Sequence, residues 1–317
     1  MEQLKTPVLL IVFRRLDTTK RVLEAIRKVK PQKLYIASDY ARKNNDKEVK
    51  KVLEVRKYVE ENIDWDCKVE KDYAEENYGS RKRVSSAISW VLSNEEEVIV
   101  IEDDIVPVPD FFEFCREMLD YYRDDERVMM ISGNNNIKGH IDKPYTFSCF
   151  SGVWGWATWK RAWKYYDDSM KDWPKQKKTG ELKYVMPGLS YLFMSWNNKY
   201  VYNREMDAWD FVWDNARFKM HGLGIVPKTN LIRNIGFESD DATNTLGKSK
   251  YKFECGSYSF PLEKIEIVER NLEYDKAYIR QEYPGWKALL IWIKKTILFV
   301  PRRVKKDFFC DKDDCHQ

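Results

Sequence analysis

The sequence predicts an α/β protein built on a parallel sheet with helices on both faces. Short apolar runs rich in Val, Ile and Leu stand at residues 8–13, 33–38 and 98–101, each the length of a strand buried on both sides. Longer segments between them carry apolar residues at helical spacing. That alternation of strand and helix signals indicates parallel crossovers.

In order, residues 8–13 (VLLIVF) form the first strand, and Asp17 or Thr18 is placed to cap a helix with Val22, Leu23, Ile26 and Val29 on one face. Pro31 ends that helix, and residues 33–38 (KLYIAS) give a second strand that stops at Asp39. A charged helix over about residues 46–62 turns Val49, Val52, Leu53, Val55 and Val59 inward. A third strand follows at 67–71, then an Asn77-Tyr78-Gly79 loop and a helix with Val84, Ala87, Ile88 and Val91 as its stripe. The strand ending at Ile101 runs into Glu102, Asp103 and Asp104. Asp110 and Glu113 have the spacing of a capping box for the next amphipathic helix, and residues 128–132 (VMMIS) read as a further strand.

The character changes near residue 145. Eight of the 12 Trp fall between 154 and 213, among Tyr, Lys and Asp. We expect one catalytic domain over 1–285, with a nucleotide-sugar half at 1–136 and an acceptor half at 137–285. Aromatic faces suit the apolar faces of sugar rings, although large aromatics usually belong to the core. The tail 286–317 places Trp292 and Phe299 beside Lys294, Lys295, Arg302, Arg303, Lys305 and Lys306. Residues 286–309 fit either a helix lying on an anionic membrane surface or one docked on the body.

Composition narrows the classes. With 43% hydrophobic and 33% charged residues the chain is an ordinary globular protein, and a net charge of +4 is too small to argue for nucleic acid. The six Cys show no CxxC pair and read as reduced thiols; Cys310, Cys315 and His316 are a weak zinc signal. No run of 18 apolar residues and no signal-peptide core is present, so a cytoplasmic protein, peripheral on the inner face of the plasma membrane, is expected. GxSxG, HExxH, Walker A and GxGxxG motifs are all absent, which removes the common hydrolase, metalloprotease and P-loop readings.

The acids at 102–104 close a buried strand, where a carboxylate cluster needs pairing or a metal. Mg²⁺ or Mn²⁺ takes such oxygens, with phosphate completing the shell. Arg15 follows the first strand on the same rim and suits a phosphate or a base carbonyl. Asp39, ending the second, suits a base N–H or a ribose hydroxyl. Asp207, Asp210 and Asp214 are spaced to share a helical face, which offers a base for an acceptor hydroxyl.

Taken together, F-R-R-L-D-T-T at 13–19, S-D at 38–39, N-Y-G at 77–79, V-S-S-A-I at 84–88, I-E-D-D at 101–104 and P-D-F-F-E-F-C at 109–115 form a familiar series. It continues with D-D-E-R-V-M-M-I-S-G-N at 124–134, W-G-W-A-T-W at 154–159 and N-I-G-F at 234–237. Over roughly residues 6–245 the chain resembles bacterial sugar transferases of the glycosyltransferase-A fold, related to N-acetylglucosaminyltransferase I. The resemblance implies a Rossmann-like, mixed and mostly parallel sheet, a nucleotide-diphosphosugar donor (usually a UDP-sugar), a divalent cation and a glycan or glycolipid acceptor. It implies Asp104 as direct metal ligand and Arg15, Asp39, Arg83, Glu102 and Asp103 as donor-binding residues. Asp210 is the expected base, with Asp207 second, and Trp154, Trp156 and Trp209 are the expected acceptor contacts. The chain departs from the family at Tyr40-Ala41, where relatives tend to have Gly-Pro, and at Asn244, where they often have His. A sugar nucleotidyltransferase is the rival enzyme, but Arg14-Arg15-Leu16-Asp17 is not its Gly-rich loop; the non-enzyme rival is a glycan-binding protein on a degenerate transferase fold.

Overall fold

The computed structural model describes residues 3–238, 254–287 and 289–290. The expectations for Asn244, for the Cys310–Cys315–His316 cluster and for most of the basic tail therefore lie outside the described residues. No helix among the described residues is long and apolar enough to cross a membrane.

The elements run β1 (Val8–Val12), α1 (Leu16–Arg27), β2 (Lys33–Ser38), α2 (Asp46–Glu61), β3 (Lys68–Tyr73), α3 (Gly79–Asn94), β4 (Glu97–Glu102), β5 (Ile105–Pro107), α4 (Pro109–Tyr121) and β6 (Val128–Ser132). They continue with β7 (Tyr145–Ser148), β8 (Trp156–Trp159), α5 (Lys160–Trp163), α6 (Trp173–Thr179), α7 (Tyr191–Tyr202), α8 (Asp210–Lys219), β9 (Leu223–Pro227), β10 (Ile232–Asn234) and α9 (Leu272–Glu282). Eight strands make one sheet in the order β3-β2-β1-β4-β8-β6-β9-β7, and β5 pairs with β10 in a second, two-stranded sheet. The first four strands are mutually parallel. Only β8 and β7 run against the rest. The sheet is thus mixed and mostly parallel, as the sequence predicts.

Side chains alternate across the sheet with the period of the pleat. Val8, Leu10 and Val12 enter one core with Leu34, Ile36, Ile99 and Ile101, against α1, α2 and α4. Leu9 and Ile11 face the other way with Tyr35, Ala37, Val98 and Val100, against α3 and α8. In β6 the successive Met129 and Met130 join the same core, because a register shift between Val128 and Met130 puts an extra residue there.

Three local expectations change. Helix α1 begins at Leu16 with Arg15 in the cap position, so Asp17 sits in the first turn; the Thr18 and Thr19 hydroxyls donate back to the Arg15 carbonyl at 3.2 and 2.6 Å. The Asp110–Glu113 capping box does not form. Pro109 starts α4 with its φ preset, Asp110 accepts instead from the Tyr258 N–H at 2.7 Å, and Glu113 pairs with Arg116. In α2, Val52, Val55 and Val59 are buried but Leu53 is 50% exposed. The division at residue 136 is also not a structural seam, since β8 from the second half lies between β4 and β6 of the first.

Candidate functional site

From β1 the chain steps outward to β2 and β3, then returns to place β4 on the other side of β1. The crevice at the carboxyl ends of β1 and β4 is therefore a topological switch point, where open α/β sheets bind ligands. Ile11 lies opposite Glu102, so the residues after the two strands meet. Arg15 Nη2 lies 2.5 Å from Asp103 Oδ1 and 2.9 Å from Asp104 Oδ2. Asp103 Oδ2 also accepts from the Phe13 N–H at 3.1 Å. Burial works against the Arg15 charge, but Asp103 and Asp104 outweigh it and hold the guanidinium firmly protonated. Asp103 is only 4% exposed; it braces β1 to the acidic turn and offers a donor nothing directly. This corrects its expected role.

Asp104 is held from its other side by the second small sheet. Its carbonyl accepts from the Ile235 N–H at 2.8 Å, and Asn234 pairs with Ile105. A Cβ on Gly236 would lie 2.3 Å from Asp104 Oδ2; only glycine lets the N-I-G-F segment pass over the carboxylate. Trp154 stands edge-on to Phe237 at 6.0 Å and is half-buried, so it keeps a place on the rim of the site.

Asp210 opens α8. That helix is fixed by aromatic packing: Trp209 stacks on Trp156 at 5.5 Å, and Trp213 lies 5.0 Å from Trp163. Trp156 and Trp209 are 1% and 4% exposed, which corrects their assignment to the acceptor; their faces are spent in the core. Asp210 itself is half-buried and has no ion-pair partner among the described residues. Burial and the charge of Asp214 push it up to about 6. Glu102 is pushed up to about 8 by burial and by the charges of Asp104, Asp103 and Asp210, with Arg15 opposing. Asp103 rises to about 6, from burial above all, with Arg15 opposing. Asp210 is the smallest of the charges acting on Glu102.

The remaining expected site residues serve the scaffold. Asp207 accepts from the Ser80 and Arg81 N–H groups at 2.9 and 3.0 Å, one on each oxygen, capping α3 from outside its chain segment. Asp39 accepts from the Tyr40, Tyr78 and Gly79 N–H groups and from Asn77 Nδ2, at 2.9–3.1 Å. Those four donors fill its oxygens, so it clamps the 77–79 loop and leaves no lone pair for a base. Arg83 is 3% exposed and ion-pairs with Asp72 at 2.6 Å, out of reach of a donor. Asp214, named in the sequence only for its spacing, is the acid that joins Asp210. Tyr283, which the sequence did not single out, packs against Phe193 and Tyr278 at 5.9 and 6.2 Å, and burial first, then the charges of Asp214 and Asp210, push its hydroxyl up.

Among the described residues no group of three or more His, Cys, Asp or Glu is arranged to hold a metal by itself. The donor set nonetheless fits a divalent cation that draws part of its shell from a ligand. Arg15 is the sole ion-pair partner of Asp103 and Asp104, while Glu102 and Asp210 have none among the described residues. Burial above all raises the carboxyls at 102, 103 and 210, and neighbouring carboxylates add to it. Asp104 is the reachable ligand, its side chain 13% exposed.

The same charge sets a pH dependence. The folded state binds protons more tightly than the unfolded chain at Glu102, Asp103 and Asp210, so the stability these three contribute is fully present below the ordinary carboxylate range and is lost as pH rises toward about 8. In EDTA, Tm is expected to drop by roughly 3 °C or more between pH 5 and pH 8, for a net effect of about 2 kcal/mol. Mn²⁺ is expected to restore more of it at pH 8 than at pH 5. A flat profile insensitive to Mn²⁺ in differential scanning fluorimetry contradicts the charge argument.

No protein-family model and no curated protein matches the chain. Among solved structures, HddC from Yersinia pseudotuberculosis, crystallised in complex with GMP-PN, aligns with 49% of this chain and 77% of its own at 14% identity and a TM-score of 0.29. A likeness that slight carries no argument about fold or site.

Proposed function

We propose that this chain is a glycosyltransferase of the glycosyltransferase-A type. It moves a sugar from a nucleotide-diphosphosugar, a UDP-sugar in the first instance, to a glycan or lipid-linked acceptor in bacterial surface-polysaccharide synthesis, with inversion and with Mn²⁺ or Mg²⁺. The observation that supports this best is the meeting of Arg15, Asp103 and Asp104 at the switch point, with Asp210 close enough to perturb Glu102. A cation bound there would be held by Asp104 and the donor's diphosphate, and would stabilise the departing nucleoside diphosphate. Arg15, locked by Asp103, presents its remaining N–H groups toward the same phosphates. Asp210, raised to about 6, is ionised at neutral pH yet basic enough to take a proton. It removes the proton from the acceptor hydroxyl as that oxygen attacks the anomeric carbon, and the bond to the diphosphate breaks on the opposite side.

UDP binding measured by calorimetry tests the reading. Wild-type affinity is expected to rise at least tenfold with Mn²⁺, and Asp104→Ala to lose that increment; metal-independent or absent UDP binding refutes a metal–diphosphate site. Asp210→Asn is expected to keep UDP affinity while transfer falls about 10²–10⁴-fold, the usual contribution of a general base. Turnover retained in that variant means another group takes the proton. The chain is further proposed to sit on an anionic membrane surface through residues 286–309, which begin with Trp286 61% exposed and Leu290 50% exposed. The full chain is expected to float with phosphatidylglycerol vesicles and a form ending at residue 285 to stay behind; a full chain that never floats removes the membrane role.

A further inference from the structure

Asp210, Asp214 and Phe218 fall one turn apart along α8 and so form a single stripe. That stripe meets a run of rings from other segments. Phe218 lies 6.1 Å from Phe150, which stacks on Tyr278 of α9 at 4.9 Å and 8°. Tyr278 is 6.2 Å from Tyr283, and Tyr283 is 5.9 Å from Phe193 of α7. Tyr283 is anchored through its carbonyl, which accepts from Ser190 Oγ at 2.7 Å. Tyr278, Tyr283 and Phe193 are all half-buried, each with part of its surface open.

Asp214 is held in place from beneath. Arg217 is wholly buried and donates from Nη2 to Asp214 Oδ1 at 2.5 Å and to the Cys149 carbonyl at 3.3 Å. Its Nε and Nη1 have no partner in the described structure, so the guanidinium carries more donor capacity than the fold consumes. The Asp214 side chain remains 35% exposed. Among the described residues neither its Oδ2 nor the Tyr283 hydroxyl makes a hydrogen bond. A carboxylate on the α8 stripe and a phenol on the half-buried ring run that meets this stripe, each with an uncommitted oxygen, describe a polyol subsite on the side of the acid assigned as base. Two carboxylates against one buried guanidinium repel phosphate and other anions, whereas ring hydroxyls donate to carboxylates and sugar C–H faces lie on aromatic rings.

We propose that Asp214, oriented by Arg217, and Tyr283, with Phe193 beside it, seat an uncharged pyranose ring of the acceptor next to Asp210. This rests on the transferase reading and extends it to the acceptor side. Asp214 would be a specificity residue that receives a hydroxyl other than the one that reacts.

The test uses the full chain with UDP and Mn²⁺ and a panel of p-nitrophenyl pyranosides: gluco, galacto, manno and N-acetylglucosamine, each as both anomers. Saturation-transfer NMR reads binding and calorimetry reads UDP affinity. At least one pyranoside is expected to bind the wild type, Asp214→Asn to weaken it tenfold or more, and Tyr283→Phe several-fold, with UDP affinity unchanged in both. Should Asp214→Asn lower Tm sharply by stranding Arg217, Tyr283→Phe and Tyr283→Ala decide the matter. Wild-type protein that binds no pyranoside, or variants that bind as well as wild type, overturns the proposal. Pyranoside binding lost in the variants of a protein that never binds UDP with Mn²⁺ would leave this pocket standing while removing the transferase reading.

Discussion

Parallel pairing of β1 with β4 is the constraint on which the site depends. Its register sets Ile11 opposite Glu102, so the two strands end together and deliver Phe13, Arg15, Asp103 and Asp104 to one place. A slip of one residue would turn every side chain of a strand to the opposite face and carry the residues that follow it away from this meeting point. The Arg15 pair with Asp103 and Asp104 then follows from backbone geometry. Acids can gather at the end of a buried strand because this guanidinium stands among them. It does not balance them. Among the described residues Arg15 is the one cation paired with Asp103 and Asp104, and Glu102 and Asp103 stay raised, by burial first and by neighbouring carboxylates second.

The scaffold's second fixed point is α8. Trp209, in the cap position, and Trp213, within the helix, are clamped against Trp156 and Trp163, while the stripe one residue on bears Asp210 and Asp214. Asp207, just before the helix, caps α3, which ties the start of α8 to the helix that packs on β1. Helix α8 is fixed by apolar packing on one side and by the buried Arg217, which donates to the Cys149 carbonyl, on the other.

Much of the first half was legible in the sequence because β1, β2, β4 and β6 are buried on both faces and read as nearly unbroken apolar runs, which the charged edge strand β3 does not. The acidic turn and Arg15 could be found as residues that follow such runs. Other features could not. The segment W-A-T-W contains polar Thr158 and no alternation, yet it becomes β8 in the middle of the sheet, where Thr158 is satisfied by the Met129 carbonyl. Nothing local marks Asp39 as a loop clamp or Asp207 as a cap for a helix more than a hundred residues earlier; both depend on N–H groups that tertiary folding brings to them. Arg83 reads as a donor contact by proximity in sequence to the 77–79 loop, but an inward-facing helical position pairs it with Asp72.

The aromatic richness of the second half illustrates how composition points to a role without assigning it to residues. Trp156, Trp159, Trp163, Trp173, Trp209 and Trp213 are all 5% exposed or less, since an indole gains most when its whole surface leaves water. A ring meant to meet a solvated sugar needs the opposite: one face packed, one face open, and a polar edge that tolerates water. Tyr283 and Tyr278 are the half-buried rings of this region, and both come from the chain beyond residue 270. The tryptophans build the wall that holds α8, and the acceptor proposal rests on the tyrosines instead. The division of labour follows from burial: the largest aromatics go where desolvation is complete, and phenols remain where it is partial.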